Sequence, residues 1–237
     1  MSASFLTELE DRLAREALHV VLPVTGAVLE PVTGRLLGES ASASPWSAIV
    51  VGDGGGGFFA RFLAASRAGE GPRDEENPLD GFTRRRVNAV VEAVLGRHGL
   101  ASAVFFPFAT ERVHLPFQRV GQAAGLPPPG PLGVQVHPVY GPWWAYRALV
   151  AVAAPLAAAA PLAVSCPPCR GPCVNECEAH ARSEGRWRDG VLLGPIVCGD
   201  ACGARLRCPV GVGARYTAEQ LAFHARARSA AAARRGA

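Results

Sequence analysis

The sequence predicts an α/β (α+β) protein, a sheet domain followed by a cysteine-rich segment near the C-terminus. Three observations predict it. Short apolar, β-branched runs alternate with stretches of helical periodicity. Glycine, proline and polar clusters separate these runs. All seven cysteines fall between residues 166 and 208, and the first 165 residues contain none.

The elements follow in order. Phe5, Leu6, Leu9 and Leu13 share one face of an N-terminal helix. Residues 19–24 read as a strand, 40–44 as a polar break, and 46–51 as a short buried strand. A glycine run at 52–57 then leads into a helix over 58–65. A strand–glycine–helix step can cradle a phosphate. This one lacks the lysine of a P-loop and the spacing of a dinucleotide fingerprint, so it reads as a turn.

Residues 66–77 form a charged loop. Asn77 caps, and Pro78 opens, a helix running to about Arg97. Residues 103–108 predict a strand, and 115–124 a helix closed by Gly125. Residues 132–138 and 143–152 predict two strands joined by a turn. The uncharged stretch 148–164 is interrupted by Pro155 and Pro161 and falls short of the roughly 20 residues of a membrane span. It reads as a buried strand entering an Ala/Pro connector. Thr217 and Gln220 form a capping box that opens a C-terminal helix reaching about Ala233. The expected domains are 1–155, a cysteine-rich segment at 156–214, and a helix at 215–237 packing back on the first domain.

Composition narrows the function. A chain of 237 residues, 49% hydrophobic, builds one or two domains with a real core. It carries 24 arginines and no lysine, at a net charge of +4. Arginine follows a general excess of Ala, Gly and Pro, so no single arginine marks a phosphate site. No basic stripe with interleaved aromatics appears, which argues against a nucleic-acid partner. Residues 1–17 are charged and amphipathic rather than an apolar leader. Clustered cysteines without an export signal favour reduced thiols on a metal, in a cytoplasmic protein with no membrane partner.

The cysteines stand as Cys166, Cys169, Cys173 and Cys177, with two, three and three residues between them, then Cys198 and Cys202, then Cys208 before Pro209. Such spacing brings several sulfurs to one inorganic centre. The bacterial ferredoxin run for iron–sulfur clusters also ends in Cys-Pro. By that rule Cys166, Cys169, Cys173 and Cys208 complete one [4Fe-4S] cluster. Cys177, Cys198 and Cys202 remain for a second, either three-iron or with a fourth ligand such as Asp200 or His180. The swapped set, Cys177, Cys198, Cys202 and Cys208, stays open. Zinc is the rival metal, although only Cys166 and Cys169 have knuckle spacing.

The string Gly133-Val-Gln-Val-His-Pro-Val-Tyr-Gly-Pro-Trp-Trp-Ala-Tyr-Arg147 resembles the central hairpin of the cobalamin-processing CblC family. Weaker likenesses lie at Asn77-Pro-Leu-Asp80 and Arg215-Tyr-Thr-Ala-Glu-Gln220. The resemblance implies a nitroreductase-like fold that binds cobalamin or another corrinoid and removes its upper ligand. It makes His137, Tyr140 and Trp143, with Trp144, candidate corrinoid contacts. It makes Arg147 and Arg215 candidates near a thiol cosubstrate.

A hairpin followed by clustered cysteines is also similar to the epoxyqueuosine reductases and reductive dehalogenases, whose corrinoid domain is fused to a two-cluster ferredoxin module. Ala124-Gly125-Leu126 matches the segment before their hairpin, and Glu111 falls at an acidic proton donor. Glu111 and His114 are the general-acid candidates; such an acid works only if burial shifts its pKa toward neutrality. The chain departs from that pattern in lacking an eighth cysteine and in having Glu178 after Cys177.

The function expected from these readings is an iron–sulfur, corrinoid-binding reductase, fed by an unidentified electron donor, that reduces cobalamin or removes its upper ligand. Alternatives are a corrinoid-dependent reductase of an organic substrate, a ferredoxin-like electron-transfer protein without corrinoid, and a zinc-stabilised binding protein.

Overall fold

The computed structural model describes residues 2–34, 37, 39, 45–70, 77–109, 114–163, 166, 171–183, 187–188, 191–192 and 202–235. Among them the fold is mixed α/β, with a four-stranded antiparallel sheet in the order β1-β2-β4-β3. The chain divides into two compact units. The first is Met1–Pro127 with Trp144–Leu162, and the second is Pro128–Trp143 with Ala163–Ala237.

In the first unit, α1 (Ser2–Arg15) buries Phe5, Leu9 and Leu13 at four-residue intervals. Its outer face carries the Glu8–Arg12 pair, and Glu8 also meets Arg97 and His98 from a distant helix end. β1 (Val20–Thr25) follows, then α2 (Gly26–Thr33), a helix not evident in the sequence because Pro31 lies inside it. β2 (Ser47–Gly54) is the central strand. It runs three residues past the expected end, through Gly52 and Asp53 to Gly54, because pairing with β4 continues there.

After a turn come α3 (Gly57–Arg67) and α4 (Pro78–Val91), which continues as a π-helical turn over Glu92–Gly96. Phe58 and Phe62 of α3 meet Phe82 of α4 at centroid distances of 5.4 and 5.7 Å. Burying each such ring contributes about 1.5–3 kcal/mol. β3 (Ser102–Phe105) is shorter than expected, and α5 (Phe117–Ala123) leads to β4 (Trp144–Val152).

β4 pairs with β2 on one side and β3 on the other, both antiparallel. Both of its edges are therefore taken, and the strand expected at 132–138 has no place beside it. That segment makes only two isolated bridges, Pro129 to Gln135 and His137 to Gly141. β1 is an edge strand, where Pro23 costs no central ladder bond. The connector after β4 crosses this edge, with Ala159 N–H donating to the Pro23 carbonyl.

In the second unit, α6 (Pro172–Ser183) lies inside the cysteine-rich segment. It is followed by a two-stranded pair, β5 (Trp187–Arg188) and β6 (Val191–Leu192), and by the short α7 (Gly203–Leu206). A 3-10 turn (Val212–Ala214) precedes α8 (Ala218–Arg235). This unit groups both the 128–143 segment and the last helix with the cysteines. No described helix is long and apolar enough to cross a membrane.

Candidate metal centre

The second unit contains a cavity of about 40 Å3 with Cys166, Cys173 and Cys208 in its wall. Three separate stretches deliver these sulfurs. Cys166 ends the connector from β4, Cys173 lies in the first turn of α6, and Cys208 follows α7. The opposite wall is apolar and comes from the 128–143 segment, through Leu132, Val134 and Val136. Cys173 is buried. α6 and α7 are tied by an ion pair, Arg207 Nε to Glu176 Oε2 at 3.2 Å, exposed and worth little by itself.

The grouping matches three of the four cysteines in the first expected set. The fourth, Cys169, lies outside the described residues, as do Cys198, Asp200 and Glu111. Cys177 and Cys202 are half-buried and do not line the cavity. Among the described residues no group of three or more His, Cys, Asp or Glu is arranged to hold a metal ion. The cavity fits a sulfur-ligated centre in donor type and in its apolar surroundings, which lower solvent access and tune potential.

The turn at 137–141 adjoins this wall in sequence. His137 and Gly141 exchange both backbone bonds, at 2.9 and 2.7 Å. The His137 Nδ1 accepts from the N–H groups of Val139 and Tyr140, at 3.1 and 3.3 Å, which fixes an unprotonated Nδ1. Its ring lies 4.8 Å from that of Tyr140. Burial pushes the imidazole down to about 4, so it is neutral at pH 7. Tyr140 is half-buried, while Val139 and, beyond Gly211, Val212 are among the few large apolar side chains left exposed.

Trp143 is fully buried rather than an open aromatic wall. Tyr216 meets it edge-on at 5.5 Å, and the Arg205 guanidinium stacks 4.6 Å over its ring and 5.3 Å from Tyr216. Arg205 also donates to the Pro142 carbonyl. Gln220 forms half of the expected capping box, its N–H reaching Thr217 Oγ1 at 3.2 Å, while its buried side-chain amide has no partner among the described residues. Arg215 is exposed and donates to the Leu206 carbonyl at 2.6 Å.

Four further residues singled out in the sequence lie in the first unit. Arg147 is buried, with Nε 2.6 Å from Asp53 Oδ1 and its guanidinium 5.0 Å over Phe58. Asp80, half-buried, has its pKa raised by burial, an effect moderated by Arg147 and Arg84. Trp144 is buried with its ring 4.6 Å from Tyr146. His114 is exposed. Sequence reasoning missed Arg205 and Asp53: one is a single arginine among many, and the other sits within a glycine run.

No family model matches the chain, and no curated protein matches it. Two solved structures share its fold. One is a C. elegans B12-trafficking protein, CblC, a human MMACHC homologue. It is 15% identical, with a TM-score of 0.57 over 94% of this chain and 91% of that one. The other is epoxyqueuosine reductase, solved with an epoxyqueuosine-modified tRNA-Tyr stem loop. It is 12% identical, with a TM-score of 0.59 over 94% of this chain and 69% of that one. The chain therefore has the fold shared by a B12-trafficking protein and an epoxyqueuosine reductase.

Proposed function

We propose that this chain is an iron–sulfur, corrinoid-binding reductase that reduces cobalamin or removes its upper ligand. The observation that carries the reading is the cavity in which Cys166, Cys173 and Cys208 face a wall built by the segment resembling the CblC hairpin. The shared fold with CblC and epoxyqueuosine reductase supports the same reading.

Cys166, Cys169, Cys173 and Cys208 would hold a [4Fe-4S] cluster, with Cys177, Cys198 and Cys202 available for a second. Bound cofactors supply the redox chemistry, a one-electron donor in the cluster and cobalt as acceptor. The chain's residues position and shelter them. Leu132, Val134 and Val136 keep water from the sulfurs. Tyr140, Val139 and Val212 offer apolar contact to a flat macrocycle at the turn. His137, held neutral, adds no positive charge there.

Anaerobic purification followed by absorption spectroscopy, with and without added cobalamin, tests the proposal. The expected protein is brown, bleaches with dithionite, and shifts the cobalamin spectrum on mixing. A colourless protein with stoichiometric zinc, or an iron–sulfur protein that leaves cobalamin unchanged, would overturn it.

A further inference from the structure

The 130–141 segment meets the cysteine region twice, each time through a glycine. At Gly130 a Cβ would stand 2.9 Å from the Cys166 sulfur, closer than real Cβ atoms come. Gly130 is not among the residues with positive φ, so the missing side chain serves space alone. At Gly141 the φ is 59°, and a Cβ would overlap the Val210 carbonyl. Gly211 reciprocates: its φ is 70°, and a Cβ would overlap the Tyr140 carbonyl. Two backbones thus touch with no side chain between them, just after Cys208. Gly133, in the same segment, has a φ of 71° but nothing within 4 Å of its Cβ position.

We propose that the 130–141 segment is a positioning element for the metal centre, clamped to it at Gly130 against Cys166 and at Gly141 against Val210 and Gly211. The inference rests on the reading that the cavity cysteines hold a metal. Glycine at these two points lets a rigid backbone, rather than a mobile side chain, set where two ligand sulfurs stand. Whatever binds the 137–141 turn then bears on Cys208 through the backbone contact.

The test compares wild type, Gly130→Ala, Gly141→Ala and Gly133→Ala, each purified anaerobically with its own metal. The readout is the rate of metal release to excess EDTA, with the spectrum of the reduced centre recorded by electron paramagnetic resonance. Gly130→Ala and Gly141→Ala should release metal at least about tenfold faster, as other changes to the support of metal ligands do. Gly133→Ala, which imposes the same backbone strain without the contact, should behave as wild type.

Wild-type release from Gly130→Ala and Gly141→Ala, or equal acceleration by Gly133→Ala, would overturn the clamp. Amide exchange at Val50 and Val150 in the sheet monitors folding in the same samples. If Gly141→Ala loses that protection, Gly130→Ala, with its ordinary φ, decides alone. Zinc in place of iron and sulfide would end the functional reading while leaving the release comparison decisive. A wild type without metal would end both.

Discussion

At His137 a buried imidazole accepts two backbone N–H groups at one nitrogen. Protonation would place a donor against two donors. Its folded pKa, about 4, lies below the ordinary 6.5, so the neutral form is the one that folding favours. The sign follows: this contribution is fully present above about 6.5 and is lost as pH falls toward about 4. Each pH unit inside that window is worth about 1.4 kcal/mol per proton. Urea unfolding of wild type and His137→Asn from pH 7 to pH 4 should show a steeper loss in wild type. Parallel curves would contradict the assignment.

The same scale shows what the sequence could reveal. Cysteine spacing is a direct chemical signal, and three of the seven cysteines it singles out, Cys166, Cys173 and Cys208, line the cavity. Trp143 admits two readings from sequence, core residue or ligand wall. An aromatic beside a turn is more often core, and the family resemblance raises the pocket reading; in the fold Arg205 and Tyr216 pack against it. Arginines spread through the whole sequence gave no sign that Arg205 was the one to stack there.

Among the elements, the ion pair between β2 and β4 carries the clearest consequence. Arg147 and Asp53 are both buried, and the arginine lies on the Phe58 ring. Arg147→Met should cost about 3–5 kcal/mol, because it leaves a buried carboxylate unpaired. The double variant with Asp53→Leu should recover most of that loss. Urea midpoints measured at constant slope check both. A mild single-variant effect would return Arg147 to the role near a thiol cosubstrate that the family resemblance implies.

Element boundaries were legible where periodicity was strong. α1, α4 and β4 follow directly from apolar spacing, and Pro78 marks the start of α4. The strand expected at 132–138 failed because alternation alone does not say whether a partner edge is free. β4 has none to offer. Its residues turn instead toward the cysteines, a long-range choice that no local pattern encodes. α2 was hidden by Pro31, and α6 lies in a run of cysteines whose spacing speaks of ligands rather than of a helix.

For the whole molecule, the mixed α/β fold with one antiparallel sheet agrees with the sequence expectation in class. The grouping of the 128–143 segment with residues 163–237 was not foreseen. It places the first part of the hairpin-like string, from Gly133 through the turn to Trp143, in one compact unit with the cysteines, while Trp144–Arg147 belong to the other. The most direct measurement of that chemistry reduces the anaerobic protein with one equivalent of dithionite per cluster and then mixes it with cyanocobalamin. Cluster reoxidation and cobalt reduction are followed together in a stopped-flow spectrometer. The account predicts that both proceed with one rate constant, each electron lost by the cluster appearing on cobalt. A cluster that stays reduced beside unchanged cobalamin would contradict it.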